Sequence, residues 1–408
     1  MKLNFNWLQK LGPGILFAGA AIGVSHLVQA TRAGADFGFG FLWALVLIHI
    51  LKYPFFQFGP RYTTATNESL LHGYKRLGKW VLVSYFVINL ASMFTIQAAV
   101  TIVTAGLASN LFGITTDPVL WSGIILVLAV LFLGFGKYKL LDRLMKLIIV
   151  VLTMTTLAAV IVAIDEYKNP MSFTQYFPKG SLELTFLIAF LGWMPAPLDV
   201  SIWQSLWTLE KRKSKEIGFN VKQALFDFNL GFAGTLIIGI FFMALGALVM
   251  FNSELELSAS GGIFAQQLIE LYTSSLGKEF WIVISIAAFT AMLSTTITTL
   301  DASPRAMDKT IELIVGRKNK MGYWYWLILL AIGTIFILKF FMSEMGTLVK
   351  IATIFSFLTT PFFAITNFIL ISGKHTPKEL RPSKALQTLS IIGILFLIGF
   401  AAWYLFSL

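Results

Sequence analysis

Gly192-Trp193-Met194-Pro195-Ala196-Pro197-Leu198-Asp199 stands inside a run that is otherwise apolar and long enough for one membrane span, about residues 184 to 207. Each proline lacks an N–H and clashes with the turn before it, so Pro195 and Pro197 should free the carbonyls of Leu191 and Trp193. In hydrocarbon every backbone polar group must be paired internally. A helix broken at that depth is tolerated only beside protein or a water-filled cavity. Breaks therefore mark where chemistry is expected, and the freed oxygens suit a cation or a polar group.

Working outward, the rest of the chain has the same character. It is 408 residues long, 57% hydrophobic and only 12% charged, with a mean hydropathy of +0.79, far from the quarter-charged composition of soluble domains. A spanning helix needs about 20 mostly apolar residues. Apolar runs and their breakers give about eleven spans, near 11–34, 39–57, 80–109, 118–136, 141–164, 184–207, 225–251, 279–304, 323–343, 347–373 and 386–407. The expected fold class is an all-α membrane protein forming one transmembrane domain over 1–408.

Charge sets the orientation. The formal charge of +11 sits in short loops with no continuous basic face, which argues against nucleic acid as a partner. Counting loops with the N-terminus inside puts roughly 24 of the 31 Lys and Arg on the cytoplasmic side, as positive-inside bias requires. The clusters include Lys75, Arg76 and Lys79, then Lys137, Lys139 and Arg143, then Lys211, Arg212, Lys213 and Lys215, then Arg317, Lys318 and Lys320. The loop near 252–278 carries Glu254, Glu256 and Glu270 and is expected outside, with a short amphipathic helix lying at the interface. An odd span count places the C-terminus outside as well, in a prokaryotic cell membrane.

Lys2 and Lys10 precede an apolar stretch, as in a signal peptide. The stretch continues through Ser25, His26 and Gln29, and is read as the first span. Zero cysteines exclude disulfides and thiolate metal sites. No paired carboxylates, HExxH motif or Ser/His arrangement lies in the spans, so an enzyme is not expected. No cofactor is called for.

The first span has its own weak point, Gly19-Ala20-Ala21-Ile22-Gly23-Val24-Ser25-His26, where glycines permit unwinding and Ser25 can cap a second half-helix. Breaks in spans one and six, five spans apart, fit two inverted five-helix repeats, about 11–164 and 184–373, meeting at a midplane site, with an extra helix at 386–407.

Several segments carry a family resemblance. Gly12-Pro13-Gly14-Ile15-Leu16, Arg32-Ala33-Gly34-Ala35-Asp36-Phe37-Gly38, Met194-Pro195, Ser294-Thr295-Thr296-Ile297-Thr298-Thr299-Leu300 and Pro361-Phe362-Phe363-Ala364 resemble the NRAMP divalent-metal transporters almost end to end. The resemblance implies the LeuT-type fold, broken helices one and six, and divalent metal as substrate. It places the metal-binding methionine on Met194 and the carbonyl ligand on Leu191. Where that family has Asp-Pro-Gly-Asn in its first helix, this chain has Gly23, Val24, Ser25 and His26; its sixth-helix His is Ala196. Span three holds no acid and offers Asn89 and Gln97, and of the ninth-helix basic residues only Lys339 is left, so proton coupling is not carried over.

Asp199 is the candidate for displaced anionic charge, because an ionisable group at mid-membrane usually faces a cavity or partner; capping the second half-helix explains it too. His26 is a candidate metal ligand, or a neutral side chain bonded to a neighbouring helix. The expected substrate set is Gly23, His26, Leu191, Met194, Asp199 and Thr359, with His26, Met194 and Asp199 as metal ligands. Thr359 is equally accounted for by bonding its own backbone. Gln97, Asp301 and Arg305 are assigned to a polar pathway or gate, the last two as an i, i+4 pair. Lys52 and His49 sit deep in span two, where Lys52 either snorkels or pairs with a carboxylate. Metal transport leads, an organic solute such as an amino acid or amine stands next, and a receptor that kept the fold without transport comes third.

Overall fold

The computed structural model describes residues 11–135, 138–167, 171–213, 220–251, 261–342 and 345–407; Lys2, Lys10, Lys137, Lys215, Glu254 and Glu256 lie outside the described residues. Among the described residues every regular element is a helix. In order, α1 (Pro13–Ala21) passes through a bend and a π-helical stretch, Ser25–Ala30, into α2 (Thr31–Phe37), followed by α3 (Leu42–Thr66), α4 (Leu70–Leu77), α5 (Lys79–Phe112), α6 (Pro118–Phe135) and α7 (Tyr138–Glu166). The second half has α8 (Ser181–Trp193), α9 (Val200–Lys213), α10 (Val221–Leu245, running on to Met250), α11 (Gly261–Leu276), α12 (Trp281–Val315), α13 (Gly322–Phe340), α14 (Met345–Ser372) and α15 (Lys384–Ser407).

Among the described residues eight helices are long and apolar enough to cross a membrane, nine if α1 and its bent continuation are one span; Pro118–Gly134 and Ser181–Trp193 are shorter apolar helices. The lipid-facing side is legible on α7, where Leu147, Val150, Met154, Ile161 and Ile164 are exposed in helical register, a face that only hydrocarbon would solvate without cost. Span eight was expected to end at Pro304, yet α12 runs to Val315, because Ala306, Met307, Thr310 and Leu313 continue its buried stripe against the bundle. The helix α11, expected to lie at the interface, packs on α5 and α7 and buries Phe264, Leu268 and Ile269.

Two contacts position the site. First, α1 and α2 lie almost backbone to backbone with α10. A side-chain carbon at Gly14 would sit 2.1 Å from the Asp227 carbonyl, and one at Gly34 would sit 2.0 Å from that of Met243. Only glycine permits such an approach. Second, the N-terminus of α1 is capped from across the bundle: the Asp227 carboxylate accepts from Gly12 N at 3.0 Å and Gly14 N at 2.7 Å. These are two of the donors that a helix start leaves without intrahelical partners, and Pro13 between them has none to offer.

Candidate functional site

Both suspected weak points are breaks in the structure. α1 and the segment from Ser25 to Phe37 meet at a 47° bend, and between α8 and α9 residues 194–199 leave the helix. The two breaks are treated differently by their neighbours. In the first, the Gly19 carbonyl accepts from Thr295 Oγ1 at 3.0 Å and Ser294 Oγ at 3.4 Å, and the Ile22 carbonyl from Thr295 Oγ1 at 3.4 Å. Hydroxyls on α12 thus pair the oxygens that the bend releases. Gly23 lies against the same threonine, since a Cβ there would come within 2.6 Å of it.

The second break is filled by a cation. Lys52, on α3, neither snorkels nor makes an ion pair among the described residues; it is fully buried. Its Nζ donates to the carbonyl oxygens of Leu191 at 2.8 Å, Gly192 at 2.9 Å, Met194 at 3.0 Å and Ala196 at 3.3 Å. An ammonium has three N–H donors, so four acceptors surround it with one bond shared. The Leu191 oxygen is the one that the proline argument released.

The other expected site residues fall as follows. His26 is fully buried and turned toward α10: its Nε2 is 3.0 Å from the Thr235 carbonyl and its Nδ1 is 2.8 Å from Ser25 Oγ. Nδ1 is also 2.9 Å from the Ala21 carbonyl, so both ring nitrogens already have partners, Nε2 on α10 and Nδ1 at Ala21 and Ser25 in the first break. Met194 is buried, and its carbonyl belongs to the Lys52 cage. Asp199 is buried at the start of α9, and its Oδ1 has no hydrogen-bond partner. Thr359 donates to the Phe355 and Ser356 carbonyls of its own helix. Gln97 bridges α5 to α12, donating to the Thr296 carbonyl at 3.2 Å and accepting from Thr299 Oγ1 at 2.7 Å. Asp301 and Arg305 form a 2.6 Å ion pair, and Tyr323 donates to the same carboxylate at 2.9 Å. Among the described residues no group of three His, Asp or Glu is placed to hold a metal.

Between the breaks lies a chamber of about 30 Å3 lined by Val24, Ser25, Ile96, Trp193, Trp203 and Thr295, room for about two waters. Beyond Val24 a second cavity of about 290 Å3 reaches the end of the bundle where α8 begins; among the described residues its polar lining is Gln29, Arg32, Thr185, Lys350 and Thr353. On the opposite side of the break, Trp203 Nε1, both amide atoms of Gln204, Trp207 Nε1 and Thr208 Oγ1 are buried on α9 without partners. Buried polar atoms are normally paired, and these five atoms on α9 are exceptions. Sequence reasoning passed over Gln204, Thr208, Asp227 and Lys350. The signal available for Lys52 was its depth in span two.

The family model for natural resistance-associated macrophage protein-like sequences matches residues 14–407. The chain belongs to the Nramp family. Its members are secondary transporters of metal ions and not enzymes, and this Nramp chain is an integral membrane protein. A relative, the uncharacterized protein PM0681 of Pasteurella multocida strain Pm70, is 35% identical over 402 residues, which is 97% of this chain and 91% of that protein. Among solved structures, a manganese transporter of Eremococcus coleocola in complex with an aromatic bis-isothiourea substituted compound superposes with a TM-score of 0.70 at 12% identity, covering 100% of this chain and 96% of that one. MhsT in complex with L-phenylalanine gives 0.59 at 14% identity, covering 98% and 99%. Mhp1, a nucleobase-cation-symport-1 transporter, gives 0.56 at 15%, covering 97% and 92%. At such identities the likeness concerns the fold, and these neighbours put the Nramp chain in the LeuT-type fold.

Proposed function

We propose that this Nramp-family transporter carries a divalent metal cation through the chamber between the broken helices, with the N-terminus in the cytoplasm of a prokaryotic cell and with 11–164 and 184–373 acting as the two inverted repeats. The observation that carries the reading is the helix-six break itself. Four carbonyl oxygens converge there on a positive charge, so this backbone is built to hold a cation. Leu191, Met194 and Asp199 supply a carbonyl oxygen, a thioether and a carboxylate. Oxygen ligands suit manganese-like ions, and the thioether favours softer ones. His26 stands outside this set because its ring is engaged with Thr235. A single carboxylate compensates a doubly charged ion poorly in a low dielectric, so the cargo keeps part of its water in the chamber. Proteoliposomes holding the full chain are expected to take up Mn2+, and Asp199→Asn to slow that uptake at least tenfold. Uptake unchanged by the substitution would remove Asp199 from the ligand set.

A second reading, an organic solute bearing a carboxylate, is favoured by one feature: the cavity beyond Val24, a vestibule to the chamber, presents Arg32 and Lys350 and no carboxylate among its described lining residues, and the chamber wall is largely Trp193, Trp203, Val24 and Ile96. Such a lining attracts anions and repels free metal. Thermal stability of the purified chain, measured against Mn2+ and a panel of amino acids, separates the two.

A further inference from the structure

We propose that the Lys52 ammonium is a tethered cation that occupies the ion-binding oxygens of the helix-six break, so that cargo reaches those oxygens only when Lys52 withdraws, and the lysine thereby sets which ions the site accepts. This rests on the reading of the break as a cation site and deepens it.

The geometry is that of an ion in a cage rather than of an ordinary helix staple. The four acceptors come from a stretch of six residues, Leu191 to Ala196, and lie between 2.8 and 3.3 Å from one nitrogen. They exceed the three hydrogens that the ammonium can donate. Two are carbonyls of the last turn of α8 and two belong to the unwound segment, oxygens that a broken helix leaves without a backbone donor. The charge arrives from a different helix on a flexible four-carbon stem, and the site does not grow it locally. Charged groups facing the ammonium are few. Asp199 on α9 interacts with it across the break, and His49, one turn earlier on α3, lies near enough to sense it. No described ion pair joins Lys52 to either, so carbonyl dipoles hold the charge, as they would hold a bound ion. The stem matters as well: an ammonium on four rotatable bonds can leave the cage without moving the backbone of α3.

The consequence is competition. A metal cation and the ammonium need the same Leu191 oxygen, and two positive centres within one cage repel strongly where water is scarce. In the resident state the site is therefore closed to small cations by its own chain, and only a cargo that gains enough from Met194 and Asp199 displaces the lysine.

The test uses the full chain purified in detergent, as wild type, Lys52→Met and Lys52→Arg, with Mn2+, K+ and ammonium ion as the probes. Lys52→Met keeps the apolar stem and removes the charge. It is expected to bind Mn2+ at least tenfold more tightly than wild type in calorimetry, and to gain thermal stability with added K+ or ammonium that wild type does not show. Lys52→Arg is expected to stay cation-insensitive. A Lys52→Met protein that is merely less stable, with no recovery by any of the three cations and no gain in Mn2+ affinity, means that the lysine is only a structural staple and overturns the proposal. If Lys52→Met gains a cation site while wild-type vesicles move no Mn2+, the tethered cation stands and the assignment of metal as cargo falls.

Discussion

Asp227→Ala should destabilise the protein through a helix 200 residues away in sequence. The carboxylate accepts from the backbone N–H groups of Gly12 and Gly14 at 3.0 and 2.7 Å, and a hydrogen bond to a charged group contributes about 1.5 to 3 kcal/mol. Two of them give about 3 to 6 kcal/mol. Water reaching the end of α1 would recover part of this, which leaves about 3 kcal/mol. The negative charge at a helix N-terminus adds up to about 1 kcal/mol more. Taking about 2 °C per kcal/mol, the lower end of the range for domains of 150 to 250 residues, the midpoint of thermal unfolding should fall by about 5 to 8 °C. The 11 tryptophans make intrinsic fluorescence the natural assay in detergent. Asp227→Asn, which keeps one acceptor oxygen, should fall about half as far, and Asp165→Asn, at an exposed position on α7, should not move. If Asp227→Ala melts within 1 °C of the Asp165→Asn control, the cross-bundle cap contributes nothing and the account of how α1 is fixed is wrong.

Gly34→Ala would drive a methyl to 2.0 Å from the Met243 carbonyl, so α2 and α10 must part; an overpacking cost of about 1 to 3 kcal/mol should appear in the same melts, whereas Gly123→Ala, with open space around it, should be neutral. Thr295→Val strips the nearer of the two hydroxyls on the Gly19 oxygen, leaving the 3.4 Å bond from Ser294, and should cost about 1 kcal/mol, with cargo affinity falling because Thr295 lines the chamber; unchanged affinity in equilibrium binding would detach α12 from the site. Asp301→Asn loses the charge that Arg305 and Tyr323 share. Since the chain has no cysteine, a single introduced thiol at Ser303 reports the result without background: its labelling by a water-soluble maleimide should rise several-fold if the network closes this end of the bundle.

What the sequence made legible and what it hid divide along a physical line. Spans, and the break at Pro195 and Pro197, follow from local rules, namely apolar length and a missing N–H, and the Leu191 oxygen was placed correctly because proline acts on a residue four positions earlier. The partner of that oxygen was not legible, because it comes from Lys52, 139 residues away, and nothing in the neighbourhood of either residue encodes the meeting. His26 illustrates the converse. Its position beside the first break is a local fact, but the direction of its ring is set by Thr235 on α10, so adjacency in sequence did not translate into a shared site with Met194. The boundaries of α12 ran past expectation for a related reason: a proline at 304 reads as a stop, while the buried stripe beyond it keeps the helix docked.

The two breaks are held by unequal means, and this inequality bears on how the bundle can move. At the first, hydroxyls of α12 bond the Gly19 and Ile22 oxygens, neutral contacts worth about 1 kcal/mol each that another donor can replace. At the second, a full positive charge from α3 is buried among carbonyls bordering α8 and α9, and pulling the lysine's backbone away would strand both charge and cage in a low dielectric at a cost of several kcal/mol. A rocking transition therefore runs along the seam that is cheaper to open, with α3, α8 and α9 travelling together and α1 sliding against α12. A side-chain carbon at Gly19 would lie 3.7 Å from Ser294 Oγ, close enough for a disulfide between Gly19→Cys and Ser294→Cys. That cross-link should arrest uptake reversibly, with activity returning on reduction. One between Thr63→Cys and Ser205→Cys, where the Thr63 hydroxyl meets the Ser205 carbonyl at 3.3 Å, should leave uptake running. The opposite pattern would mean that α3 separates from α8 and α9 during transport rather than travelling with them as one moving body.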